Sequence, residues 1–459
     1  MQDENDIYRL DSSFFNKTSI NIERKIKEQD FMYLKKNEIV SGPFGSTIPS
    51  NYYLELGDIP FIRIENIKDD FFVNRKNMVY INIENNNRIK NSQLYENDLI
   101  MSKVGNSIGH FAMVDSDMNT CNISENNIGI KLKAYNKEFK YYLCAYLNSK
   151  IANNLILRRI SGNAQPKLNV ADMMNIPIPK FSNNLYNYIA QKIALAYKLQ
   201  KDADNIFKES IELLENELQY NCKYVPNNNI STNKLSNVLK NNFRIDAEFY
   251  QEKYQYYNEL IRKYKGGYDT IGNSCIINDK NYLPKNEEKY KYIELANIKN
   301  NGEIDAVEEI QGSKLPTRAR RKVTTGQVII SSIEGSLESC ALINPQYNDS
   351  ICSTGFYIIE SNKINSETLF ILFKTKILQE ILQQQASGTI LTSISKKDFW
   401  NINIPIFEKN IQKTIMENVQ NMFILRKKSN SLLEIAKKLV EIAIEKNEDE
   451  AIKYINQSE

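Results

Sequence analysis

Short runs of apolar residues separated by polar turns occupy the first third of the chain and return after its middle. Runs rich in β-branched residues, such as 59–67, 98–104 and 112–114, are bounded by Gly, Asn and Asp, a pattern that predicts strands and turns. Longer stretches at 139–159 and 366–385 have helical spacing. Each is followed by an Asn-Ile-x-Ile-Pro element, which predicts a short strand that stops at proline.

Each of the two regions ends in a long amphipathic segment, which predicts helices at about 186–220 and 411–446. Apolar residues recur every seven positions along both: Leu199, Ile206, Leu213, Leu425, Leu432 and Leu439. A heptad stripe of this kind needs a partner to cover it. We therefore expect the two helices to pack against each other, antiparallel, as a rigid spacer.

The chain contains two copies of one long repeat. Equivalent segments occur in the same order: 9–15 with 244–250, 59–67 with 290–298, 99–105 with 328–334, Ser161-Gly162 with Ser387-Gly388, and 172–179 with 398–405. The offset falls from 235 to 226 along the repeat and then stays constant, as short loop insertions would produce. Ordered self-similarity of this length predicts a duplicated domain.

The predicted layout is domain, helix, linker, domain and helix. The first repeat covers 1–185, its helix 186–220, an Asn-rich linker 221–233, the second repeat 234–408, and the second helix with a C-terminal tail 409–459. The mixture of strands and helices in each repeat predicts an α/β (α+β) fold.

Composition narrows the class of protein. Of the 459 residues, 42% are hydrophobic and 25% charged, and the net charge is only +3, so a nucleic-acid binder of this composition must concentrate its positive charge locally. The six cysteines form no C-x-x-C pair, which disfavours a zinc site. The polar first ten residues lead us to expect no signal peptide, and the sequence contains no apolar run of roughly 20 residues. We expect a soluble cytoplasmic protein that binds no membrane.

These features together resemble the specificity (S) subunit of type I restriction-modification systems over essentially the whole chain. The resemblance rests on the Arg-hydrophobic-Asp openings at Arg9 and Arg244, the Gly-Pro-Phe-Gly-Ser element at 42–46, the Asn-Ile-x-Ile-Pro strands and the heptad helices. It implies two target recognition domains joined by two long antiparallel spacer helices. One departure is that the second repeat has no clear copy of the 42–46 element.

The resemblance also implies partners. Double-stranded DNA and two methyltransferase (M) subunits are expected, the latter methylating adenine N6 with S-adenosylmethionine. Systems that also cleave DNA add motor-nuclease (R) subunits that use ATP and Mg²⁺. This chain itself is expected to bind no cofactor and no metal, and to supply sequence recognition rather than catalysis.

Two similar but non-identical domains should read two different half-sites separated by unread bases. A helix of about 35 residues rises roughly 50 Å. That length corresponds to about 15 base pairs of duplex DNA, an upper bound on the separation.

Candidate DNA-binding residues are polar or basic side chains in turns and in segments that differ between the repeats. In the first repeat they are Ser46, Thr47, Lys103, Asn106, Ser107, Arg158, Arg159 and Lys167; in the second they are Lys314, Arg318, Arg320, Arg321 and Lys322, expected in a loop. The alternative for each is a solvated surface. For Arg158 and Arg159 it is also a favourable interaction with the end of a helix dipole.

Enzymatic functions find little support. The nearest match to an adenine methyltransferase loop, Asn344-Pro345-Gln346-Tyr347, lacks the second proline, and no phosphate-binding Gly-rich loop is present. His110 is the only histidine and is expected to pack in a strand. Two other functions stay open: the specificity subunit of another multi-subunit methylation or phage-defence system, and a protein-binding scaffold.

Overall fold

The computed structural model describes residues 14–68, 71–75, 77–162, 166–221, 232, 234–240, 244–305, 307–387 and 392–458. The opening motif at Arg9, most of the predicted linker and Gly388 lie outside these residues. The chain divides into two compact units. Unit 1 comprises Met1–Gln200 with Lys427–Glu459, and unit 2 comprises Lys201–Arg426.

Within the described residues, the strands of unit 1 are β1 (Phe31–Met32), β2 (Ile39–Ser41), β3 (Ile59–Ile62), β4 (Val79–Ile81), β5 (Leu94–Tyr95), β6 (Leu99–Ser102), β7 (Phe111–Met113), β8 (Thr120–Ile123), β9 (Asn127–Ile130) and β10 (Ile178–Pro179). They form sheets of order β2-β9-β6-β7 and β4-β3-β8-β5, and a β1-β10 pair. Only β3 and β8 pair in parallel; the other pairings within these sheets are antiparallel.

Helices accompany these strands and continue into the long amphipathic segment. They are α1 (Lys17–Lys27), α2 (Ile83–Arg88), α3 (Lys137–Leu147), α4 (Lys150–Arg159), α5 (Val170–Met174) and α6 (Asn183–Glu217).

Unit 2 repeats the arrangement. Its strands are β11 (Tyr268–Thr270), β12 (Cys275–Ile277), β13 (Lys289–Ile293), β14 (Glu309–Gln311), β15 (Ala319–Lys322), β16 (Val328–Ser331), β17 (Cys340–Leu342), β18 (Ile351–Ser353), β19 (Phe356–Ser361) and β20 (Asn403–Pro405). The sheet orders β12-β19-β16-β17 and β14-β13-β18-β15, with a β11-β20 pair, match unit 1 strand for strand. The duplication predicted from the sequence is therefore a duplication of topology.

The remaining helices are α7 (Leu235–Lys240), α8 (Glu252–Arg262), α9 (Ile271–Ser274), α10 (Ser366–Leu372), α11 (Lys376–Gln385), α12 (Lys396–Trp400), α13 (Lys409–Glu445) and α14 (Glu448–Ser458). Among the described residues, no helix combines the length and the apolar character needed to cross a membrane.

The central strand β6 is buried along its whole length because both of its faces are covered. Leu99 and Met101 face a core shared with α3, α4 and the long helices, whereas Ile100 faces the second sheet. In unit 2, Val328 and Ile330 of β16 likewise face the core that contains the helices, and Ile329 faces the second sheet. Each unit is thus layered as sheet, sheet and helices, which explains the continuous apolar runs in the sequence.

The two long helices pack antiparallel inside each unit, as predicted. In unit 2, Asn418 of α13 donates to Ser210 of α6 at 3.2 Å, and Arg426 pairs with Asp204 at 3.3 Å. The later residue of α13 contacts the earlier residue of α6, so the two helices run in opposite directions. In unit 1, Ser429 donates to the carbonyl of Ala196 at 2.8 Å. Each unit contains part of both long helices. The boundaries predicted from the sequence separate each repeat from its long helix, whereas in the structure each repeat packs together with segments of both helices.

Two predictions about local structure are wrong. The helix expected over 139–159 is two helices, because the Ser149 hydroxyl accepts from Ala152 N at 3.2 Å and begins α4. Thr375 breaks the helix of the second repeat in the same way. The basic segment expected as a loop in the second repeat contains β15, which pairs antiparallel with β18 through a bulge.

Candidate nucleic-acid interface

The turn at 42–47 is fixed against the connection between β8 and β9. A Cβ on Gly42 would lie 1.9 Å from the Ser124 carbonyl oxygen, so only glycine fits there. The Gly45 amide donates to the Glu125 carboxylate at 2.6 Å. These contacts hold Phe44 85% exposed at the tip of the turn, beside the exposed Ser46 and the half-buried Thr47.

Lys103 lies next to this turn. Its backbone N–H donates to Asn126 O at 2.9 Å, and its ammonium group donates to Ser41 Oγ at 2.9 Å. Burial and the neighbouring charge of Lys167 lower the pKa of Lys103. Lys167 reaches this position because it forms a β-bridge with Val104.

Ser107 lies in the 3₁₀ turn Gly105–Ser107, which also contains Asn106. Ser107, Phe44 and Glu125 line one cleft of about 390 Å³. The structure therefore brings together the predicted residues of the first repeat, apart from Arg158 and Arg159. We call this set (the turn 42–47, Lys103, Ser107, Glu125 and Lys167) the unit 1 loop face.

Sequence reasoning missed two residues of this region, Arg63 and Glu125. Both line the cleft. The Arg63 guanidinium lies 5.6 Å from the Tyr53 ring centroid and pairs with Glu65 at 2.6 Å. The available signal for Arg63 was a charged residue directly after the apolar run of β3, whose last two residues are buried. For Glu125, a charged residue in a tight turn gave no cue, because its importance comes from contact with Gly45.

Arg158 and Arg159 lie elsewhere, and the expectation that they contact DNA is corrected. Arg159 is 3% exposed and pairs with Glu23 of α1 at 3.1 Å. Arg158 also pairs with Glu23, and its guanidinium stacks 4.4 Å from the Phe14 ring centroid. Both guanidinium groups are used inside the domain to hold α1 against α4.

The basic segment of unit 2 divides into open and engaged side chains. Lys314 and Arg318 are exposed. Lys322 pairs with Asp349 at 2.8 Å, which raises the pKa of Lys322. Arg320 Nε donates to the Thr317 carbonyl at 3.1 Å.

Arg321 turns inward from the same strand. Its Nε and Nη1 are buried without a hydrogen-bond partner among the described residues. Lys314 and Arg318 are therefore the members of this predicted set whose charges are most open to a polyanion.

Backbone hydrogen bonds identify the position in unit 2 that matches the unit 1 loop face. The bond from Lys103 N to Asn126 O corresponds to one from Ser332 N to Gly355 O, also 2.9 Å. This register makes Ser332 the equivalent of Lys103, and Thr354 the equivalent of Glu125.

Two further equivalences follow from the same kind of evidence. The bridge between Val104 and Lys167 corresponds to one between Ile333 and Ser393. The turn after β3 is closed by Arg63 N donating to Asn66 Oδ1, and the turn after β13 by Glu294 N donating to Asn297 Oδ1. Four charged residues of unit 1 are thus replaced as follows: Arg63 by Glu294, Lys103 by Ser332, Glu125 by Thr354, and Lys167 by Ser393.

Unit 2 supplies its positive charge to this position from a different element. Thr354 N donates to the carbonyl of Arg318 at 2.9 Å, which places Arg318 directly beside the equivalent of Glu125. The charge of Arg318 also opposes the rise that burial causes in the pKa of Tyr292. We call Arg318, Ser332, Thr354 and Ser393 the unit 2 loop face.

The described residues contain no group of three or more His, Cys, Asp or Glu side chains placed to hold a metal ion. What both loop faces offer instead is hydrogen-bonding side chains and local charge, the means by which proteins bind phosphates and base edges.

Comparison with known proteins gives one family. The family described as Type I restriction modification DNA specificity domain matches residues 37–219 and 270–435. A search of curated proteins finds no match.

Among solved structures, the S subunit of a type I restriction-modification system from M. genitalium is similar at 14% identity, with a TM-score of 0.41 over 90% of this chain and 95% of that one. The HsdS subunit from Thermoanaerobacter tengcongensis is similar at 13% identity, with a TM-score of 0.26 over 85% of this chain and 90% of that one.

Proposed function

The chain belongs to the family of type I restriction modification DNA specificity domains, which matches it once in each repeat, and from this premise we propose that it reads a two-part site on double-stranded DNA. Each unit reads one half-site through its loop face. One observation carries the proposal: the two units have the same topology but different side chains at equivalent positions, such as Lys103 and Ser332. Two such surfaces suit two different half-sites.

The chemistry is proposed to reside in partner subunits. Two methyltransferase subunits would bind S-adenosylmethionine and methylate adenine N6 within the site that this chain selects. Motor-nuclease subunits using ATP and Mg²⁺ would join them where DNA is also cleaved. The role of this chain is to position DNA and discriminate base pairs, for which the loop faces provide phosphate-binding cations and hydrogen-bonding groups.

A methylome tests the proposal. The chain is co-expressed with its neighbouring methyltransferase subunit, and N6-methyladenine is mapped over the host genome, with a strain that lacks the chain as control. A two-part motif with a fixed unread gap is expected. No new methylation from a complex shown to be assembled would overturn the proposal, and would favour a non-methylating defence system or a protein-binding scaffold.

A further inference from the structure

Glu125 is an exposed carboxylate of the unit 1 loop face, in which the other charged side chains are the cations Lys103 and Lys167. It follows β8 in the short turn to β9, and its negative charge raises the pKa of Lys103 against the opposing effects of burial and Lys167. A phosphate would be repelled by this carboxylate and attracted by the two lysines. A contact with DNA at Glu125 must therefore be to a group that donates hydrogen bonds.

The position of Glu125 is fixed from both sides. Gly42 packs against the Ser124 carbonyl so closely that a Cβ would not fit, and Ser124 N donates to Ile62 O at 2.9 Å. On the other side, Asn126 O accepts from Lys103 N at 2.9 Å. Gly45 N donates to Oε2 of Glu125 at 2.6 Å. A carboxylate held on a braced turn is suited to selecting one base, because little ordering is required when DNA binds.

Hydrogen-bonding chemistry decides which base pair such a group would select. An ionised carboxylate only accepts hydrogen bonds. In the major groove, cytosine presents its N4 amino group, whereas adenine presents its amino group beside the acceptor N7, which repels a carboxylate. In the minor groove, the only amino donor is guanine N2, which belongs to the same base pair.

We propose that Glu125 is a specificity-determining residue of unit 1 and reads a C·G pair by accepting a hydrogen bond from its exocyclic amine. The inference rests on the proposed function and adds the base-pair class. Thr354 occupies the equivalent position in unit 2, and a hydroxyl both donates and accepts. The requirement for a C·G pair at this position is therefore expected only in the half-site that unit 1 reads.

Glu125→Gln tests the inference in the assembled methyltransferase complex. Glutamine can still accept from Gly45 N, but it presents an amide N–H₂ toward DNA, which repels an amine and suits the acceptors guanine O6 and thymine O4. Methylation at wild-type sites should fall by about 10-fold, and preference should move to an acceptor base at one position of one half-site. Glu84→Gln, a change of the same charge at an exposed residue of α2, should leave the motif unchanged.

Several outcomes would overturn the inference. If the wild-type methylation motif contains no C·G pair in either half-site, the inference is overturned before any variant is made. An unchanged motif for Glu125→Gln, in a complex that melts and assembles like wild type, overturns it as well. If that variant fails to assemble, Glu125→Asp retains the charge but withdraws the carboxylate, and wild-type methylation by it would contradict the inference. A wild-type chain that directs no methylation would instead defeat the proposed function itself.

Discussion

The two loop faces share one topology and differ in their side chains, as the proposal that they read two different half-sites requires. At equivalent backbone positions unit 1 has Lys103 where unit 2 has Ser332. In unit 1 the cations lie just after β6 and on the bridge partner of Val104, and Lys103 donates to Ser41, directly before the turn at 42–47. In unit 2 the cation Arg318 lies just before β15. Positive charge can thus be placed on different elements in the two units while the sheets stay the same. The reason is that residues at the ends of loops are not constrained by the core packing that fixes β6 and β16.

A second contrast lies inside the domains. In unit 1, Arg158 donates to the Phe14 carbonyl and pairs with Glu23. At the equivalent position in unit 2, Gln384 donates to the Phe249 carbonyl at 2.9 Å. In unit 1 a buried carboxylate of α1 pairs with two arginines. In unit 2 an amide replaces Arg158, and a partly exposed ion pair, Lys253 with Glu380 at 3.2 Å, joins α8 to α11. A buried ion pair is sensitive to loss of one partner, because an uncompensated charge remains.

The largest effect is therefore expected from Glu23→Ala, which leaves two arginines buried without their carboxylate. Unfolding free energy should fall by about 3–5 kcal/mol, measured by urea unfolding of the full chain. Asn258→Ala, at the equivalent position of α8, should cost only about 1 kcal/mol. Replacing the unit 1 set with Glu23→Asn, Arg158→Gln and Arg159→Gln should recover part of the loss. Equal costs for Glu23→Ala and Asn258→Ala would remove this contrast between the units.

The next effect concerns DNA binding by unit 1. The double variant Lys103→Ala with Lys167→Ala should weaken binding of the complex to DNA by roughly 10-fold and flatten the salt dependence of log K by about 2. Fluorescence anisotropy over a range of salt concentrations measures both. Ser332→Ala with Ser393→Ala is the matched control in unit 2 and should leave the slope unchanged. If the two double variants lose the same slope, the loop faces do not differ in phosphate contact.

The smallest effect is expected from Arg318→Ala in unit 2. Loss of one exposed cation should flatten the salt slope by about 1, and any change of motif should fall in the second half-site. Lys322→Ala removes a cation from the same segment that already pairs with Asp349, so its slope should change less. A larger change for Lys322→Ala would show that the exposed and engaged side chains of this segment have been assigned the wrong way round.

Much of the candidate site was predictable because local sequence carries the signal. Gly42 and Gly45 flank an exposed aromatic in a turn, and Lys103 follows a strand-like run, so both segments could be singled out from their residue types. Their convergence could not be predicted, since 42–47, Lys103 and Lys167 meet only through strand pairing and a β-bridge. Which side chains of the basic segment are exposed and which are paired could not be predicted either, because Asp349, which pairs with Lys322, is distant in sequence.

The sequence by itself determined the duplication, the strand-rich repeats and the antiparallel long helices, because apolar periodicity and segment order are written along the chain. Tertiary structure alone decided which charged residues face solvent. Arg158 and Arg159 end a helix, a position that is usually solvated, yet Glu23 of α1 draws them into the domain. Glu125 gives no sequence signal, and its place beside Lys103 arises because two turns separated along the chain are held together by hydrogen bonds. Burial and charge pairing depend on long-range contacts, which local pattern does not encode.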